Sequence, residues 1–241
     1  NRLIGIRATN RSTDELKEIR GRAFIDATYE GDLAAYAGAE YRLGREGRRE
    51  FNELHAGVVY QDYETRTFLA GTTGEGDRRL QAYTFRLCLT TNPANSQVLR
   101  EPPPGYDRNY FTGYLDDLKA GRLGSPTEMQ NGMGYYCPTF NTMMRALSLA
   151  ELPNYKFDVN MNPRPLGFPF AEENYDYPET DWERRGQIAR KIQNLTRGLL
   201  YFLQNDPEIP EEQRSLARQF HLAKDEFADN GHLPYQLYVR E

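Results

Sequence analysis

The chain has 241 residues, with 30 Lys and Arg against 35 Asp and Glu, for a formal net charge of −5 at pH 7. That length suits one large domain or two small ones and can bury a core without disulfides or metals. An acidic balance lacks the basic footprint of a phosphate-backbone binder, so no nucleic-acid partner is expected. No run approaches the ~18 consecutive apolar residues of a membrane helix, so a soluble chain is expected. Aromatics at 12%, with 17 Tyr and 12 Phe, argue for a packed interior rather than disorder. Cys88 and Cys137 are far apart, form no C-x-x-C pair, and read as two ordinary thiols.

In chain order, Leu3-Ile4-Gly5-Ile6-Arg7-Ala8-Thr9 reads as a short strand, followed by a polar stretch over 10–18. Ala23-Phe24-Ile25-Asp26-Ala27-Thr28 reads as a second, buried strand, broken by Glu30-Gly31-Asp32 and followed by a short helix over 33–38. Residues 45–80 are polar and glycine-dotted, with a strand expected at 57–60. Residues 82–90 carry the strongest strand pattern. Tyr83, Phe85, Leu87 and Leu89 fall on one face, and Thr84, Arg86, Cys88 and Thr90 on the other. Thr91-Asn92-Pro93 signals a turn, and Glu101-Pro102-Pro103-Pro104-Gly105 a stiff connector. Asp107 can cap a helix bearing Tyr110, Phe111, Tyr114, Leu115 and Leu118 and ended by Gly121.

Residues 122–179, rich in Pro, Gly, Asn and aromatics, read as long surface loops, of the kind that often carry function. Thr180 and Glu183 have capping-box spacing, with Thr180 as the expected cap. Ile188, Ile192, Leu195, Leu199 and Phe202 then form a sustained helical stripe that Asn205-Asp206-Pro207 ends. A further helix is expected from Pro210, with Leu216 and Phe220 inward. Both ends, Asn1 without an initiator Met and Gln236-Leu237-Tyr238-Val239-Arg240-Glu241, suggest a piece of a longer polypeptide.

Most chemistry-bearing motifs are absent from the sequence. There is no phosphate-binding P-loop, nucleophile elbow, zinc-protease helix or EF-hand loop. Gly71-Thr72-Thr73-Gly74-Glu75-Gly76 has the wrong spacing for a phosphate cradle. His55, His221 and His232 lack metal-ligand spacing, and Asp225 and Asp229 would share a face only if that stretch were helical. The informative segment runs from Phe24 to Gly38, where a turn with Gly and acids joins an apolar run to a helix of small residues. Small residues permit close approach of an extended ligand, and carboxylates accept hydrogen bonds from sugar hydroxyls.

That segment resembles the A-T-G-[DE]-G-D-L-A turn of the FAD-dependent oxidoreductase family with a glutathione-reductase-like flavin fold. The resemblance continues in order through Gly44-Arg45-Glu46, 85–90, Pro104-Gly105-Tyr106-Asp107, 198–203, Lys224-Asp225-Glu226-Phe227 and 236–241, nearly the whole chain. Some members of that family carry the label xanthan lyase. The family's N-terminal G-x-G-x-x-G does not occur here, so the resemblance implies the middle of the enzyme. Tyr29 stands where the family commonly has Gly.

The resemblance implies FAD as cofactor, with Ala27, Thr28, Glu30, Gly31 and Asp32 facing it. The expected fold is α/β to α+β: a Rossmann-like flavin-domain remnant over 1–45 and a mixed sheet-and-helix substrate region over 46–241. Remaining parts of the same polypeptide are expected partners. The resemblance supplies no catalytic base. From the residues themselves, the candidates are Arg86, on the polar face of the strongest strand, Asn160 and Asn162 in the Asn/Pro-rich loop, and His232. An Arg suits a reduced anionic flavin ring or a substrate carboxylate, and a His can take a substrate proton. The expected reaction is hydride transfer on a small organic molecule. A carbohydrate-binding or polysaccharide-processing module is the alternative, because aromatic faces suit sugar rings.

Overall fold

The computed structural model describes residues 3–10, 12–61, 65–119, 147–161 and 171–240. The chain divides into two compact units, Asn1–Arg79 and Leu80–Arg240.

In the first unit, β1 (Gly5–Thr9) and β2 (Leu16–Arg20) pair antiparallel, with Ile6 opposite Ile19. β2 lies in the stretch read as mostly polar. Its pattern carries only Leu16 and Ile19 as apolar residues, and pairing with β1 supplies what local pattern lacks. Residues 23–28 are not the buried strand that their apolar run suggests. No strand among the described residues pairs with them, and Ile25 is 88% exposed. A strand exists only where another supplies the ladder hydrogen bonds.

α1 (Asp32–Tyr36) forms where expected. Residues 57–60 are also not a strand; Val58 instead exchanges backbone hydrogen bonds with the glycine-rich loop, accepting from Thr73 and Gly74. Those amides are consumed internally, which removes that loop as a phosphate cradle. α2 (Arg48–Phe51) follows a two-way backbone bridge between Arg45 and Asp77, whose side chains also form an ion pair. None of the apolar side chains described in this unit is buried. Turns, bridges and ion pairs hold it rather than an apolar core.

The second unit is built on a five-stranded sheet, every neighbouring pair antiparallel, in the order β4-β7-β3-β6-β5. Its strands are β3 (Leu87–Thr90), β4 (Ser96–Gln97), β5 (Leu147–Leu152), β6 (Lys156–Met161) and β7 (His221–Ala223). β5 and β6 form a hairpin inside the stretch read as loop. Asn154 and Tyr155 turn it with φ of 66° and 59°. The β3 alternation is realised: Tyr83, Phe85, Leu87 and Leu89 are all buried, and Arg86 is exposed. Residues 82–86 run on from β3 without a continuous ladder, but Thr84 exchanges two backbone hydrogen bonds with Tyr238. Asn174, fully buried, completes the pairing there. Its Oδ1 accepts from Tyr83 N (2.9 Å) and its Nδ2 donates to Gln81 O (3.0 Å).

α3 (Gly113–Lys119), α4 (Trp182–Asn205) and α5 (Glu211–Ala217) complete the unit. Asp107 caps, as expected, but the element it caps is a 3-10 turn over Arg108–Tyr110, and α3 starts only afterwards. The α4 cap is Asp181 rather than Thr180: Asp181 Oδ1 accepts from Arg184 N at 2.8 Å. The same three-residue offset can be drawn from either residue, and the carboxylate is the stronger acceptor at a helix N-terminus.

Ile188, Ile192, Leu195, Leu199 and Phe202 are all buried. Leu195, Leu199 and Phe202 share a core with Leu87, Leu89, Val159 and Leu222 of the sheet and with Phe111 and Tyr114. Phe220 is buried, whereas Leu216 is only half-buried. Asp225 lies in a turn and Asp229 in a separate 3-10 turn over Ala228–Asn230, not on one α-helix, and the two acids bond different partners, Lys156 and Tyr235. This is an α+β arrangement of mixed helix and antiparallel sheet.

Gly198 tests this packing. A Gly→Ala change inside a helix ordinarily stabilises by about 1 kcal/mol. Here an added Cβ would lie 2.9 Å from Phe111 Cζ and 3.3 Å from Tyr106 Cδ2. We therefore expect Gly198→Ala to destabilise the protein by about 1–3 kcal/mol in urea unfolding, the cost of overpacking a filled core. A neutral or stabilising result would contradict the α4–Phe111 contact.

Candidate functional site

Two places carry organised polar chemistry, one in each unit. The first is the turn leading into α1. Asp26 organises it: Oδ1 accepts from Thr28 N (3.1 Å) and Thr28 Oγ1 (2.8 Å), and Oδ2 from Ala34 N (3.0 Å). Thr28 Oγ1 in turn accepts from Gly31 N at 3.1 Å. These bonds, the Thr28 hydroxyl foremost, hold the Asp26 carboxyl below its usual range. Gly31 has φ of +68° at the N-cap of α1, a left-handed conformation that suits Gly. An atom built at its missing Cβ would meet nothing within 4 Å, so the backbone there stands open. Ala27 and Thr28 are exposed, and Glu30, Gly31 and Asp32 are half-buried. Tyr29, the departure from the family pattern, is 53% exposed.

The second place is the sheet face opposite the α4 core. Residues 84, 86 and 88 of the strand alternation and 156, 158 and 160 of β6 share it. Arg86 forms a two-pronged pair with Asp158: Nε donates to Oδ1 at 3.0 Å, and Nη2 bonds Oδ2. Thr84 Oγ1 donates to Asn160 Oδ1 at 2.8 Å. The Tyr238 ring lies beside Arg86, whose Cζ is 5.7 Å from the ring centroid. Towards the other end, Lys156 pairs with both Asp225 and Glu226, and Asn95 Nδ2 donates to Asp225 at 2.7 Å. Those partners hold the Lys156 ammonium above its ordinary value. The Cys88 thiol is pushed up, by burial first and then by the Glu226 and Asp225 charges. It stays a protonated thiol, which makes it a poor nucleophile.

Arg86 and Asn160 therefore lie together on one face, as neighbours through Asp158 and Thr84. Asn162, like Cys137, lies outside the described residues. His232 sits in a left-handed conformation (φ 63°), and its Nδ1 is 3.1 Å from Glu226 O. A carbonyl only accepts, so Nδ1 carries the proton and Nε2 is left as the basic nitrogen. No hydrogen bond joins His232 to Arg86 or Asn160. The His221 ring, in β7, has its pKa lowered by burial, and His55 packs against Phe68 at 5.5 Å. Among the described residues no group of three or more His, Cys, Asp or Glu could hold a metal ion. Among the same residues no helix is long and apolar enough to cross a membrane.

Two residues that organise these places escaped the sequence reading. Asp26 has a local signal, an Asp two residues before Thr at a turn entry. Asp158 has one in Lys156-x-Asp158-x-Asn160, which becomes visible only once that stretch is recognised as a strand.

An α+β chain with an open, carboxylate-organised turn and a sheet with one polar face is compatible with a nucleotide-cofactor enzyme. Comparison with protein-family models matches the chain to the FAD dependent oxidoreductase family over residues 1–241, and the chain belongs to that family. No curated protein and no solved structure matches it.

Asp26 gives a pH test. A carboxyl whose folded pKa is lowered adds stability above its unfolded pKa, about 4, and loses it as pH falls through the folded value. The Thr28 and Ala34 amides should therefore exchange slowly at neutral pH and lose protection below about pH 4. Asp26→Asn should remove that protection at pH 7. Unchanged exchange in the variant would show that Asp26 does not hold the turn.

Proposed function

We propose that the protein is a flavin-dependent oxidoreductase, or the middle part of one, that acts by hydride transfer on a small organic substrate. The family match along the whole chain supports this reading most strongly. In it, residues 1–45 are the end of a Rossmann-like, glutathione-reductase-like flavin domain, and residues 46–241 form the substrate-side region. The other parts of the flavin domain come from the rest of the same polypeptide.

The turn into α1 fits the cofactor chemically. Ala27 and Gly31 place no bulky side chain in the way, and the Gly31 backbone is open on one side. Glu30 and Asp32 flank it with carboxylates, acceptors suited to ribose or ribityl hydroxyls. Thr28 is fixed by Asp26 before any ligand arrives, so little ordering entropy is lost on binding. FAD, when bound, supplies a two-electron acceptor for hydride.

On the substrate side, Arg86 is held in one orientation by Asp158, which also balances its charge, and serves to position the substrate. Asn160, its oxygen fixed by Thr84, offers an amide for positioning. His232 offers Nε2 as the group that takes a substrate proton while its Nδ1 stays on the Glu226 carbonyl.

An absorption spectrum before and after heat denaturation tests the reading on a sample of known intact mass. The expected result is a flavin band that is released into the filtrate on unfolding. A sample that stays colourless after incubation with excess FAD would contradict FAD binding by this chain.

A further inference from the structure

Among the described residues, Arg240 and Arg197 of the second unit each have a buried Nε without a partner and no carboxylate ion pair. Arg197 Nη2 still donates to Gly231 O at 2.9 Å, whereas the Arg240 guanidinium has no hydrogen bond among those residues. The Arg240 guanidinium lies against the Tyr238 ring, with Cζ 5.1 Å from the centroid. Among the described residues no carboxylate forms an ion pair with it, whereas Arg86, Arg108, Arg214 and Arg218 all have one. Packing on the ring accounts for the burial but not for the missing acceptor. A buried donor without an acceptor is uncommon, and an absent ligand is one of its ordinary explanations.

The surroundings narrow the ligand. Arg86 Cζ lies 5.7 Å from the same ring centroid, so one tyrosine carries two guanidiniums. Asp158 balances Arg86, and Arg240 remains as a net positive charge against the same ring. Tyr238 is tied to the sheet through Thr84: Tyr238 N donates to Thr84 O at 2.8 Å. The Thr84 hydroxyl in turn fixes Asn160. The site is therefore held by backbone pairing rather than by a loose loop. A guanidinium fork matches the two oxygens of a carboxylate, and stacking on an aromatic ring fixes its plane.

We propose that Arg240, stacked on Tyr238, binds a carboxylate oxyanion, and that the oxidised substrate is a carboxylate-bearing small molecule. This rests on the oxidoreductase reading only for the word "substrate". The anion site stands on its own geometry. The same oxyanion chemistry could come from a cofactor phosphate, so the test has arms for both sources.

Malonate and, separately, pyrophosphate are titrated into the protein at constant ionic strength and followed by calorimetry. Saturable malonate binding is expected, weakened about tenfold or more in Arg240→Gln, the loss typical of one charge-assisted pair. Arg240→Lys, which keeps the charge without the fork, should bind with intermediate strength. Arg184→Gln, an exposed position on α4, should bind as the unsubstituted protein does. The proposal is overturned by absence of saturable malonate binding, by equal malonate affinity in Arg240→Gln, or by Arg240-dependent binding of pyrophosphate alone. That last outcome would assign the cation to a phosphate. Flavin content is read on the same samples. Malonate binding without retained flavin would contradict FAD binding by this chain and leave the anion site standing.

Discussion

Burial of the α4 stripe against one face of the antiparallel sheet decides the rest of the second unit. Leu195, Leu199 and Phe202 pack with Leu87, Leu89 and Val159. Period two along β3 and β6 then leaves residues 84, 86 and 88 and residues 156, 158 and 160 on the other side. A one-residue register slip would exchange the two sets, sending Arg86 and Asp158 into an apolar core at a cost that no local preference could offset. The same packing that stabilises the sheet therefore keeps its polar face polar. Arg86, Asp158, Thr84 and Asn160 meet because their neighbours Phe85, Leu87 and Val159 must be buried.

The first unit works on a different principle. With no apolar side chain buried among its described residues, its order comes from short-range polar locks. Asp26 ties residues 28 and 34, and Arg45 with Asp77 ties two distant stretches of loop. Such locks are individually small and exposed to salt. They leave the backbone open at Gly31. A turn built around a carboxylate can present its outer surface to a ligand without first losing packing.

How much of this was legible in the sequence follows from the range of the forces involved. The α4 stripe, the β3 alternation, the Asp107 cap and the α1 helix are local patterns, and each was readable from a window of a few residues. The β5–β6 hairpin was not, because 147–161 contains mixed polar and apolar residues whose pairing with β3 is non-local. Residues 23–28 erred the other way: an apolar run suggested a strand, but no partner among the described residues supplies the ladder. Arg86 was readable as an exposed cation on a strand. Its partner Asp158 was not, since 72 positions separate them. The lone Arg240 could not be seen at all, because an unmet hydrogen bond is a property of surroundings rather than of sequence.

The cofactor contact proposed above is the Asp26-organised turn. Hydrogen–deuterium exchange with and without added FAD tests it most directly. The account predicts slowed exchange at amides of residues 27–35 when FAD is present, because a bound ligand suppresses local opening there. FAD binding that slows exchange elsewhere and leaves those amides unchanged would contradict it.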